Sequence, residues 1–142
     1  SDGCSSLVGD QRPGADVYRV RTIRLDDVAD QRGLSKIEML KIDAEGHDLP
    51  ALEGAQRLLD RQAVDIFSFE YNAPWIDSRH FLRDAWDFLA RTPYGLFRLF
   101  NGFLAPFRYR PRAERHDLGC VYVGVSRRRL RQGGIPIREF PE

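Results

Sequence analysis

Leu40-Lys41-Ile42-Asp43-Ala44-Glu45-Gly46-His47-Asp48 decides how this chain is read. The run from Ile37 to Asp43 is short and apolar apart from Glu38 and Lys41, and it stops at Gly46. That length suits a strand better than a helix. Its composition places it near the centre of a sheet. Asp43, Glu45 and His47 follow at alternate positions, around Gly46. Ligands gather at the carboxyl ends of strands in parallel α/β sheets, so a polar cluster directly after a strand is the first place to look for chemistry. Gly46 lets the backbone exit sharply or approach a ligand closely.

Downstream, Asp48 can cap a helix in which Pro50 is tolerated in the first turn, and Leu52, Ala55 and Leu59 recur on one face. Asp65 to Tyr71 reads as a second buried strand ending in Glu70 and Asn72. After Pro74, Asp77 or Ser78 can cap a helix with the apolar face Phe81, Leu82, Ala85, Trp86, Phe88 and Leu89, stopped by Thr92-Pro93. Trp86 is read as core on that spacing. Gly95 to Phe100 and Cys120 to Val125 read as the last two strands, with Phe103 to Arg115 a loop or irregular hairpin between them. Upstream, the alternation from Val17 to Thr22 predicts a strand, and Asp26-Asp27 opens a helix that Gly33 ends. Strands and helices in alternation give an α/β sheet covered by helices.

A chain of 142 residues, 42% hydrophobic and 11% aromatic, fits one domain with a real core. Residues 1–126 are read as that domain and 127–142 as a tail without clear periodicity. The formal charge of +1 hides an asymmetry: residues 1–97 carry 12 basic and 17 acidic side chains, residues 98–142 carry 10 and 4. The basic residues are nearly all arginine throughout, which reads as coding bias, and no nucleic-acid module is present; no nucleic-acid partner is expected. Cys4 and Cys120 fit neither a disulfide framework nor a zinc spacing, so a reducing cytoplasm is the expected compartment. No stretch reaches the roughly 20 apolar residues that span a bilayer. The first residues lack the regions of a signal peptide and do not begin with Met, so a processed, engineered or truncated product is expected.

The cluster after the first buried strand supports more than one reading. Asp43 and Glu45 can bond to loop amides while His47 and Asp48 begin a helix, where acids are stabilised by the dipole. A metal site would need the strand to continue through Asp43, Glu45 and His47, and Gly46 and Pro50 argue against that. No metal is expected. No nucleophile elbow, phosphate loop or His-Glu-x-x-His run is present.

Lys41-Ile42-Asp43-Ala44-Glu45-Gly46-His47-Asp48, with Leu52, Gly54 and Ala55 following, closely resembles the signature of FkbM-type methyltransferases: Lys-Ile-Asp-x-Glu-Gly, an acidic residue two positions on, then Leu-x-Gly-Ala. Ser5-Ser6-Leu7 resembles the family's Ser-Ser-Leu segment, Thr22-Ile23-Arg24-Leu25-Asp26-Asp27 its Thr-Leu-Asp-Asp stretch with an insertion or a shift, and Phe69-Glu70 its second strand end. The likeness spans Ser5 to Asn72 and then fades.

The resemblance implies the C-terminal part of a class I methyltransferase sheet, Rossmann-like and mostly parallel with an antiparallel last strand. It implies S-adenosylmethionine as cofactor and O-methylation of a hydroxyl on a small molecule, sugar or other glycan. On it, Asp43 and His47 are the catalytic candidates, His47 as general base because imidazole titrates near pH 6.5. Asp43 and Gly46 are cofactor candidates, and Glu45, Glu70 and Asn72 acceptor candidates. Trp75 or Tyr71 can stack on a ring-shaped acceptor. The family's first three strands and its Gly-rich cofactor loop have no counterpart here, so the sheet edge they would cover is expected to meet an upstream segment or a second copy. The alternative is a non-catalytic binding or assembly module derived from such a half-fold.

Overall fold

The computed structural model describes Leu7 and residues 18–140. Residues 18–24 form no strand, and Tyr18, Val20 and Ile23 are exposed. The alternation predicted from Val17 to Thr22 therefore fails over its described part, because an alternating segment with no neighbouring ladder has nothing to bury its apolar side against. Val17, Cys4 and Ser5-Ser6 lie outside the described residues.

Helix α1, Leu25–Arg32, begins at the expected acids and ends where Gly33 turns left-handed at φ 62°. Strand β1, Ile37–Lys41, pairs in parallel with β2, Val64–Tyr71, with Ile37 opposite Val64 and Lys41 opposite Ser68. The single helix expected from Asp48 onward is two, α2 at Asp48–Glu53 and α3 at Gln56–Asp60. They part at Gly54, whose carbonyl leaves the helical ladder to accept the Asp26 amide of α1 at 2.9 Å. After α4, Pro74–Asp77, and α5, Leu82–Leu89, come β3 at Tyr94–Phe100, β4 at Phe103–Pro106, β5 at Cys120–Ser126 and α6 at Arg127–Arg131. None of the described helices is long and apolar enough to cross a membrane.

The sheet order is β1-β2-β5-β3-β4. Two expectations need correction. Among the described strands β1 lies at the edge rather than the centre, and Met39 is 53% exposed on it. Nor is the sheet mostly parallel: among the described strands β1 and β2 pair in parallel, while β2 with β5, β5 with β3 and β3 with β4 are antiparallel. β1, β2 and β3 still run the same way, but residues 107–119 return the chain to their carboxyl ends. β5 enters there, Cys120 opposite Tyr71, and so must run against both neighbours. The last strand is antiparallel, as expected.

One sheet face carries most of the core. Phe67, Phe69, Tyr71 and Tyr122 pack against Leu52, Leu58, Leu59, Trp75, Leu82 and Leu89 from the helices, and Phe69 stacks on Tyr122 at 5.6 Å. Opposite Phe67 stands Gly124, where a Cβ would lie 2.0 Å from the Phe67 ring, so the missing side chain is what lets that ring cross β5. Trp86 lies half-buried, its edge against Phe107 at 5.9 Å. The other face holds a smaller cluster of Phe97, Leu104, Val123 and Val125, covered by Leu130 and Ile135. Leu130 and Ile135 thus pack although the segment after Ser126 shows no period. The amide of Leu104 also donates to Pro136 at 2.8 Å and that of Arg138 to Leu104 at 3.0 Å, which protects the outer edge of β4.

Asp65 ties α6 and the approach to β1 onto β2. Its carboxylate meets Arg128 at 2.7 Å and Lys36 at 2.9 Å, and these partners, Arg128 first, hold its pKa below the usual value. A depressed folded pKa gives stability that is present above the unfolded value and lost as pH falls through the folded one. Asp65→Asn should therefore lower stability at pH 7 by about 1 kcal/mol, a figure kept small because both partners are half-exposed. The gap from wild type should close from about pH 4 downward. Thermal melts of both proteins between pH 7 and pH 3 check this; a gap that stays constant with pH would remove the charge pairing as its cause.

Candidate functional site

The ladder runs one residue past β1, where the Ile42 amide donates to Ser68 at 2.8 Å, and then the backbone turns. His47 closes the turn by donating its amide to Ala44 at 3.1 Å. Glu45 at φ 45° and Gly46 at φ 93° are both left-handed. Glycine is needed at 46 for a second reason, since a Cβ there would lie 2.4 Å from the Pro74 carbonyl oxygen. The close approach that Gly46 permits in this structure is to α4.

Asp43 projects from the turn half-exposed and accepts from Lys41 Nζ at 2.6 Å. Its hydrogen bond raises the lysine pKa. Glu45 is joined to the end of β2 by Asn72, whose amide nitrogen donates to it at 3.3 Å. Asp48 is buried at the start of α2, where one oxygen accepts from the Gly46 amide at 3.3 Å, and burial pushes its carboxyl pKa up. His47 Nδ1, Asp48 Oδ1 and Asn72 Oδ1 are buried with no partner among the described residues. Unsatisfied buried polar atoms cost stability and recur where a site has a catalytic or ligand-binding task.

Asp43, Glu45, His47 and Asn72 are thus gathered at the carboxyl ends of β1 and β2. Glu70 stands one step away, its carboxylate turned toward Gly119: a Cβ at 119 would lie 2.9 Å from Oε1. Trp75 and Tyr71 are not available to stack on an acceptor. Both are fully buried, Trp75 with its indole N–H on the Glu70 carbonyl at 2.8 Å and Tyr71 with its hydroxyl on Glu114. Among the described residues no group of His, Cys, Asp and Glu is placed to hold a metal ion.

Two adjoining cavities, of about 540 and 290 Å³, open on the same edge of the sheet, further along it. They share Arg98, Phe100, Leu118 and Cys120, and neither is lined by Asp43, Glu45, Gly46 or His47. Sequence reading missed these residues, although two signals were there. Asn101-Gly102 between apolar runs marks a tight hairpin, with Gly102 at φ 83°, and Arg98 interrupts an otherwise apolar strand.

Comparison with curated proteins and with solved structures finds no significant match. The family model described as "Methyltransferase FkbM domain" matches residues 2–96, well over half of the chain, from before α1 into β3. The turn bearing Asp43, Glu45 and His47 and the strand end bearing Glu70 and Asn72 both lie inside the match. The chain belongs to the FkbM methyltransferase family.

Proposed function

We infer that this chain forms the acceptor side of an S-adenosylmethionine-dependent O-methyltransferase acting on a hydroxyl of a small molecule or sugar. What carries the reading is the convergence of Asp43, Glu45, His47 and Asn72 at two adjacent strand ends, with three buried polar atoms there lacking partners among the described residues. The fit to the cofactor is partial. Carboxylates at Asp43 and Glu45 suit a sulfonium cation, while no Gly-rich turn between a strand and a helix, which would cradle the nucleoside, occurs among the described residues. When bound, the cofactor supplies the methyl group as an electrophile.

The residues of this chain then have two tasks, to orient the acceptor hydroxyl and to remove its proton. Asp43 is suited to the first because its carboxylate is half-exposed and, among the described residues, is tied to the exposed Lys41 side chain. His47, half-buried on the same turn, takes the proton. Glu45, Asn72 and Glu70 face the acceptor, and Gly46 keeps the turn tight against Pro74.

Asp43→Ala in the natural full-length protein should cut transfer from radiolabelled S-adenosylmethionine by about a hundredfold or more. Because its ion pair with Lys41 is exposed, the melting temperature should stay within roughly 2 °C of wild type. Normal turnover in this variant would remove Asp43 from the mechanism.

The outer edge of β1, which no described strand covers, favours a second reading, a non-catalytic module that pairs along that edge with another chain. Calorimetry with S-adenosylmethionine and light scattering for oligomeric state separate the two. Measurable cofactor affinity sinks the module.

A further inference from the structure

The smaller of the two cavities has the makings of a binding site for an acid. It is lined by Arg98, Arg112 and Arg115 together with aromatic side chains. Arg115 is committed to Asp117 at 3.1 Å. Arg98 is different. Its guanidinium lies 3.0 Å from the Cys120 thiol and 5.2 Å from the centre of the Phe100 ring, and among the described residues no carboxylate pairs with it. A half-buried charge without a counter-charge is costly, and the guanidinium fork matches a carboxylate in bidentate fashion. The walls around it are flat and apolar: Phe107 meets Tyr122 edge-on at 4.8 Å, and Phe100 stacks on Phe140 at 4.3 Å. About 290 Å³ gives room for a ligand of roughly ten heavy atoms.

Position adds to this. Arg98 lies near the carboxyl end of β3, and Cys120 stands opposite Tyr71 at the end of β2, so the cavity opens on the sheet edge that carries Asp43, Glu45 and Asn72. The adjoining larger cavity is lined by Gly119, against which Glu70 rests. Arg98 and Cys120 both fall outside the family match at residues 2–96, in the part of the chain where specificity is free to differ between relatives.

We propose that this cavity binds a ring-bearing carboxylic acid through Arg98, and that it anchors the methyl acceptor, which is then a hydroxylated acid. The second clause rests on the methyltransferase reading above; the first does not. In calorimetry on this chain at fixed ionic strength, 4-hydroxybenzoate should bind about tenfold or more tightly than the neutral isostere 4-hydroxybenzyl alcohol. Arg98→Gln should abolish that preference, whereas Arg91→Gln, an exposed arginine before the opposite end of β3, should keep it. Equal affinity for acid and alcohol, or a preference that survives in an Arg98→Gln protein melting like wild type, overturns the proposal. Should Arg98→Gln melt early, Arg98→Lys decides: loss of the planar fork predicts affinity reduced several-fold, and full affinity overturns the contact. Binding is read here without cofactor. Failure of methyl transfer would leave an Arg98-dependent result standing, and failure of acid binding would leave methyl transfer standing with a neutral acceptor.

Discussion

Asp26→Ala is expected to lower the melting temperature by about 10 °C, corresponding to roughly 3 kcal/mol in a domain of this size. Asp26 belongs to α1, yet it does its work at the start of α3. One carboxylate oxygen accepts from the Arg57 amide at 3.0 Å and the other from the Leu58 amide at 3.0 Å. The first N–H groups of a helix have no partner within it, so a side chain normally supplies one from the residue just before. That residue is Ala55, which has no acceptor to offer. Asp26 replaces it from about thirty residues away, and its negative charge sits favourably at the positive end of the helix. The carboxylate is 1% exposed, so water cannot take over when it is removed. Two amides would be left unsatisfied, one of them buried. Asp26→Asn keeps one acceptor oxygen and should recover about half of the loss. Melting of Asp26→Ala within 2 °C of wild type would show that the two amides find other partners and that the bridge contributes little.

This arrangement also gives a physical reason for two stretches of the family resemblance. Leu25-Asp26-Asp27 and Leu52-Glu53-Gly54-Ala55 lie against each other: the Asp26 amide donates to the Gly54 carbonyl, Arg24 reaches the Glu53 carbonyl at 2.8 Å, and Gly54 lies 3.7 Å beneath the Arg24 Cα at its Cβ position. They fix α1 over the junction of α2 and α3, which seats α2 directly behind His47.

What could be read from the sequence follows from the range of the forces involved. Helix α1 and strands β2, β3 and β5 were legible because their signals are local: a glycine at the C-terminus of α1, apolar runs of strand length, acids where a helix begins. The site turn was legible for the same reason, since Asp43, Glu45 and His47 are close in sequence. The place of β1 at the edge was not, because an apolar run reads alike whether one neighbour covers it or two. The break at Gly54 was hidden because it depends on an amide from α1. Arg98 and Cys120 are 22 residues apart and meet only when β5 inserts beside β3. No period or spacing reports such an insertion.

Glu114→Ala should cost about 2–3 kcal/mol and, unlike Asp26→Ala, should also disturb the acid-binding cavity. Glu114 follows the short 3-10 turn Pro111–Ala113. Its carboxylate accepts from the Leu82 amide at 3.2 Å and the Arg83 amide at 3.0 Å, the first two of α5, and from the Tyr71 hydroxyl. Burial, and then the neighbouring carboxylate, raise the Tyr71 pKa well above its ordinary value, so the phenol stays protonated and donates. Tyr71 is fully buried, and losing its acceptor leaves that hydroxyl stranded in the core. The Arg83 amide is more exposed and can turn to water, which is why the cost is set below that of three buried bonds. The second effect comes from position: Arg112, Ala113 and Arg115 surround Glu114 in sequence and all line the cavity. Release of Glu114 frees them from β2 and α5 together, so affinity for 4-hydroxybenzoate should fall along with stability. Glu114→Gln retains an acceptor oxygen for one of its donors and should fall between the two proteins in both measurements. Thermal melts and calorimetry on the same samples provide the check. A variant that loses stability while binding the acid at full strength would show that the cavity keeps its shape without this anchor.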